Sequence, residues 1–216
     1  GSRIHPKIEK DNLQDFDITY IVTNMDTFTQ NDRWLDIFGK RIFMQTPEAM
    51  TLYEPPLGNC YSYLMILEDG NRIDLKIVPI EEADLYVYSE SLIKILLDKE
   101  NIVGEIALPT NSSYRVKEPT AQFFDDCCNE FWWVSTFVAK GLCRKELLYS
   151  TDYINQTLRT EVYRMISWNV GIDTGFSESV GKSQRFLEKR ISKELWNRIV
   201  ATYNMSSYEN LWMVLF

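Results

Sequence analysis

The chain has one histidine, His5, and four cysteines, Cys60, Cys127, Cys128 and Cys143. No two cysteines stand in a C-x-x-C spacing, so a zinc site has no ligand set to draw on. The single histidine also disfavours a Ser-His-Asp or Cys-His centre. It precedes Pro6 in a polar stretch and is expected to be solvated. Cys127 and Cys128 are neighbours in a helical pattern and point apart, which predicts free, buried thiols in a reducing cytoplasm. Positive charge is short as well: 23 Lys and Arg face 31 Asp and Glu, a net charge of −8. A partner bound through phosphate neutralisation, such as nucleic acid, needs the opposite balance. An acidic cleft instead concentrates small cations. No apolar run approaches the ~20 residues of a membrane span, and no secretory leader pattern opens the sequence. Neither a nucleic-acid nor a membrane partner is expected.

What is present is enough apolar material, 45% of 216 residues, for one large or two modest domains. The period-2 signal dominates early. Strands are predicted at 16–23, 41–45, 61–67, 72–78 and 92–97, and Asp69-Gly70 between two apolar runs marks a hairpin. A short amphipathic helix is predicted from Asn31 to Gly39, a loop at Pro47 and Pro55-Pro56, and a helical turn over 80–85. Residues 108–119 form a linker rich in Pro, Ser, Thr and Asn. From Thr120 the period becomes helical. One helix is predicted from a Thr120 N-cap to Leu142, stopping at Gly141, and a second over 145–168. A loop follows over 171–181, then a helix over 192–203. A last helix opens on a Ser206/Glu209 capping box. It runs into an apolar end, Leu211 to Phe216, which reads as the edge of a longer chain.

Carboxylates carry the chemistry. Asp15 and Asp17 alternate at the start of the first strand, so they project to one face. Side by side they repel, and a divalent cation relieves that. Asp74 lies on the polar side of the hairpin strand, with Arg72 and Lys76. Its position reads equally as a third ligand or as the solvated face of an amphipathic strand. Gly1 and Ser2 are small enough for their main chain to approach a phosphate. On the long helix Asp126, Glu130, Trp133, Phe137 and Lys140 recur at intervals of three and four, on one stripe. The stripe reads either as a recognition face or as aromatic core with solvated charges. Lys182 follows Gly181, but no strand precedes it, so this is not a P-loop.

These motifs jointly resemble a known family. Gly1-Ser2-Arg3, Asp15-x-Asp17 leading a strand and Asp74 on a later strand resemble the polymerase-beta-like nucleotidyltransferases. Trp34 to Gly39, Met44 to Met50, Asp69 to Leu75, Phe131-Trp132-Trp133, Val138 to Leu142 and Ser207 to Trp212 look like the aminoglycoside 6-adenylyltransferases, bacterial enzymes that modify streptomycin. The resemblance covers nearly the whole chain, and the family has further elements on both sides of it. It implies an α+β fold: a mixed sheet with flanking helices, residues 1–118, for metal and nucleotide, then a helical acceptor-binding domain, 119–216. It implies adenylyl transfer from ATP to the position-6 hydroxyl of streptomycin, with antibiotic resistance as the outcome and the bacterial cytoplasm as the setting. Asp15, Asp17 and Asp74 would hold Mg2+, two ions in all, and Asp74 would serve as base. Gly1, Ser2, Arg3 and Lys140 would contact the nucleotide. Glu130, Trp133 and Asp126 would receive the cationic aminoglycoside. The competing readings are the same chemistry on another small acceptor, or a nucleotide-binding module without catalysis.

Overall fold

The computed structural model describes residues 1–5, 8–52, 58–89, 91–104 and 106–215. Pro6, the Pro55-Pro56 loop and the terminal Phe216 lie outside the described residues. The chain forms two compact units that divide between Ser113 and Tyr114. The architecture is α+β: a mixed sheet in the first unit, helices in the second.

The first unit is built on strands β1 (Phe16–Val22), β2 (Arg41–Gln45), β3 (Tyr61–Leu67) and β4 (Arg72–Pro79), with the short helices α1 (Asp26–Thr29) and α2 (Ala83–Ser89). Their order across the sheet is β1-β4-β3-β2. The pair β3–β4 is the predicted hairpin. Asp69 carboxylate oxygens accept from the Asn71 main-chain and side-chain nitrogens (2.9 and 2.7 Å), and Gly70 takes φ +84°. β1 instead runs parallel to β4. One sheet face is apolar by alternation: Ile73, Leu75 and Ile77 from β4, Tyr63 and Met65 from β3, and Phe16, Ile18 and Tyr20 from β1. Met25, Phe28, Trp34, Leu35 and Phe38 cover it. The Trp34 ring lies 5.2 Å from Phe28 and 5.8 Å from Tyr63, both edge-on, and its Nε1 donates to the Phe28 carbonyl. The predicted 31–39 helix is a 3-10 segment, Arg33–Phe38, which leaves Ile37 outward. The predicted strand at 92–97 does not form. Leu92 is buried, Ile93 and Ile95 are half-buried, and Leu96 and Leu97 both stand exposed, so burial does not alternate along the run as a one-faced strand requires.

The second unit holds α3 (Ala121–Cys143), α4 (Leu147–Tyr153), α5 (Arg159–Thr174), α6 (Lys193–Ala201) and α7 (Tyr208–Leu215). Thr120 Oγ1 caps α3 by accepting from Phe123 N at 3.1 Å. Val134, Val138 and Leu142 of α3 bury against Ile154, Leu158 and Leu211. Gly141 does not stop this helix; it is buried in its last turn, where the Tyr149 and Ser150 side chains come in. The predicted 145–168 helix is longer and composite. A π-helical turn, Ile154–Leu158, joins α4 to α5, and α5 runs past Gly171 to a left-handed cap at Gly175. Gly171 therefore lies in a helix rather than the predicted loop, and the Phe176 ring packs where its side chain would be. Ser192 caps α6. On α7 the cap falls one residue later than predicted: Ser207 Oγ accepts from Asn210 N, while Ser206 Oγ turns to Asn204. All four cysteines are free thiols, but only Cys127 is fully buried and Cys143 is exposed. Among the described residues no helix is long and apolar enough to cross a membrane.

Candidate active site

The face of the sheet opposite the apolar layer is polar. Asp17 on β1 and Asp74 on β4 are register partners, as are Thr19 and Lys76. Parallel partners project to the same side, on strands about 4.8 Å apart. Asp15 stands just ahead of β1, two residues from Asp17. The Arg72 guanidinium donates Nε and Nη2 to the two Asp74 oxygens, each at 2.8 Å, and its Nε lies 3.7 Å from Asp15 Oδ2. Arg72 thus bridges two of the three predicted acids, Asp74 and Asp15, with Asp17 at the neighbouring register position on β1. Although the Asp17 side chain reaches solvent, partial desolvation raises its pKa above the ordinary carboxylate value. The Asp74 and Asp15 charges add to that shift, and Arg72 opposes it.

The segment before β1 is tied to this edge. Residues 2–4 make a 3-10 turn, and Gly1 lies so close to Asp17 that a Cβ on it would stand 1.8 Å from Asp17 Oδ2. Arg3 donates to the main-chain carbonyls of Gln14 (2.6 Å) and Asp15 (3.2 Å), and its guanidinium stacks 3.6 Å from the Phe16 ring centroid. Those contacts direct Arg3 toward the chain that delivers Asp15. Ser2 contributes its carbonyl to His5 N and Gln14 Nε2.

Further residues line the open face that sequence reasoning did not assign. Lys76 lies over the Tyr86 ring, and the Tyr86 hydroxyl bonds Thr19 Oγ1 at 2.7 Å. Glu48 accepts from Ser62 N and Oγ, both at 2.8 Å. Arg72 and Lys76 were visible as same-side neighbours of Asp74 by alternation. Glu48 lies inside the Met44 to Met50 motif, yet the motif alone gives it no role, because its position depends on how the 3-10 turn Pro47–Ala49 sits against β3.

In the helical unit the predicted stripe lies along the solvent side of α3. Asp126, Glu130, Trp133 and Lys140 are all exposed. Asp126 accepts from Gln122 Nε2 at 2.8 Å. The Trp133 and Phe137 rings meet at 6.1 Å, and Lys140 Nζ stands 5.7 Å from the Phe137 centroid. Trp133 is 63% exposed, so it is not core of this unit.

A sequence model of the streptomycin adenylyltransferase family matches residues 1–216. The chain belongs to the streptomycin adenylyltransferase family. It is therefore an enzyme, a nucleotidyltransferase. Relatives include aminoglycoside 6-adenylyltransferases of Campylobacter jejuni (48% identity, 98% of this chain and 73% of theirs), Bacillus subtilis (45%, 100% and 76%) and Staphylococcus aureus (42%, 96% and 74%). A crystal structure of an aminoglycoside 6-adenyltransferase from Bacillus subtilis matches at 44% identity and a TM-score of 0.46, over 94% of this chain and 74% of that one.

For a member of the streptomycin adenylyltransferase family, the open face has the donor chemistry a divalent cation takes. Asp15, Asp17 and Asp74 offer hard carboxylate oxygens from two adjacent strands. Among the described residues, however, no group of three or more His, Cys, Asp or Glu side chains is drawn together tightly enough to hold a metal ion. Arg72 draws Asp74 and Asp15 to itself instead. The three acids fit the cation by type and strand position.

Proposed function

We propose that the chain transfers AMP from ATP to the position-6 hydroxyl of streptomycin and releases pyrophosphate. Family membership supports aminoglycoside adenylylation. The observation that carries the site is the Asp17–Asp74 register on the open sheet face, with Asp15 beside it. In this reading Asp15, Asp17 and Asp74 hold Mg2+, with two ions engaged. Bound there, Mg2+ supplies charge neutralisation at the attacking and departing oxygens of an in-line displacement.

The chain's own residues do the rest. Asp74 accepts the proton of the acceptor hydroxyl, whose oxygen forms the new bond to the α-phosphorus as the bond to the β-phosphate oxygen breaks. The Gly1 main chain, Ser2, Arg3 and Lys140 bind the triphosphate, with Arg3 also fixing residues 14–16. Asp126 and Glu130 pair with the guanidinium groups of the acceptor, and Trp133 offers a face for cation–π contact. The modified drug gains bulk and negative charge, which spoils a cationic ligand's fit to ribosomal RNA.

The test is pyrophosphate release with ATP, Mg2+ and a panel of aminoglycosides and lincosamides. Streptomycin-dependent release is expected, lost by about 10²–10⁴-fold in Asp74→Asn. Release with other drugs but not with streptomycin would move the acceptor. ATP binding without release for any drug would make the chain a non-catalytic nucleotide-binding module.

A further inference from the structure

Arg72 sits two residues before Asp74 on β4, so both side chains rise from the same side of the strand. Its fork takes both Asp74 oxygens at 2.8 Å and leaves Nε 3.7 Å from Asp15. A guanidinium in this position uses the lone pairs that a divalent cation needs. The two cannot hold Asp74 in the same way at once. The fork is also open to solvent: the Arg72 side chain is 48% exposed, Asp15 37% and Asp74 23%. Exposed ion pairs contribute only about 0.2–1 kcal/mol. A doubly charged ion can therefore take the oxygens from Arg72. The strand itself does not depend on the pair, because Ile73, Leu75 and Ile77 anchor β4 in the core.

We infer that Arg72 is an exchangeable counter-ion: it competes with the divalent cation for Asp74 and Asp15 and so sets how tightly the site takes metal. The inference rests on the reading of Asp15, Asp17 and Asp74 as metal ligands. Arg72 is a positioning residue here, acting through the two carboxylates. The opposite role, a brace that holds Asp74 ready for metal, predicts the opposite sign on removal: a brace weakens binding when lost, and a competitor strengthens it.

The experiment is Mn2+ binding to the purified 216-residue chain without nucleotide, read from the paramagnetic resonance of the free ion at low ionic strength. Arg72→Gln is expected to bind Mn2+ about 1.5- to fivefold more tightly than the unaltered chain. Arg72→Lys keeps the charge, loses the fork and is expected in between. The gain should shrink in 1 M salt, where the screening length falls to about 3 Å. Unchanged or weaker binding in Arg72→Gln, with an unaltered melting temperature, overturns the inference. If Arg72→Gln does not fold, Arg72→Lys decides by the same signs. Asp17→Asn separates the inference from the reading beneath it. Loss of Mn2+ in Asp17→Asn without a gain in Arg72→Gln defeats the counter-ion alone. Undiminished Mn2+ binding in Asp17→Asn defeats the ligand assignment itself.

Discussion

A missing side chain shapes one edge of the site. Gly1 leaves the space that the Asp17 carboxylate fills, and an added methyl group would have to displace that carboxylate. Misplacing a reacting group by about 1 Å can cost ~10²-fold in rate. Gly1→Ala should therefore lower kcat/KM by roughly that factor with little change in melting temperature; wild-type activity in a folded variant would detach Gly1 from the site. The cysteines give a second contrast at this scale. Cys127 is buried, and its thiol donates to the Glu161 carbonyl at 3.7 Å. Burial and the nearby Glu161 carboxylate push its pKa up to about 12, above the ordinary thiol value of about 8.5. The folded state thus favours the protonated thiol. Its contribution to stability is complete below about pH 8.5 and declines as pH rises toward 12. At pH 8 Cys143 should alkylate readily while Cys127 stays unmodified until the chain unfolds. Peptide mass spectrometry reads this, and equal labelling of the two would contradict the buried placement.

Between elements, glycine carries a meaning that sequence alone misreads. Gly141 near the end of α3 looks like a helix stop, yet it admits α4. A Cβ there would meet the Ser150 hydroxyl and lie 2.8 Å from Tyr149 Cδ1. Alanine is better than glycine in a helix by about 1 kcal/mol, but forcing atoms into a packed site costs about 1–3 kcal/mol. Packing wins, so Gly141→Ala should destabilise the chain by up to about 2 kcal/mol in urea unfolding; a stabilised variant would show that the helices separate easily. The same ambiguity hid Gly171 inside α5. Elements defined by alternation were legible: β1, β2, β3 and β4 fall within a residue or so of their predicted limits. The run 92–97 has strand-like composition but pairs with neither edge of the sheet, and pairing is a property of the fold. The π turn at 154–158 leaves no sequence mark, because its apolar spacing is close to that of an ordinary helix.

For the molecule as a whole, the sequence named the acids but not their meeting. Asp15, Asp17 and Asp74 stand out through alternation and through the Asp-Gly turn. The parallel pairing of β1 with β4, which sets Asp17 beside Asp74, joins residues more than fifty positions apart. No local pattern encodes that. The Arg72 fork was half visible, as two same-side neighbours, and its reach to Asp15 again needed the sheet. One feature of the helical unit turns into a means of observation. Of six tryptophans, Trp132 and Trp133 are 69% and 63% exposed, while Trp168 is buried beside Phe123 and Phe124. The chain therefore carries its own optical probe on α3, with water-relaxed emission at long wavelength. Saturating streptomycin should quench that emission or shift it to the blue, and ATP alone should do so far less. The response should disappear in Trp133→Phe and persist in Trp168→Phe; a titration with the reverse pattern would place the drug away from α3.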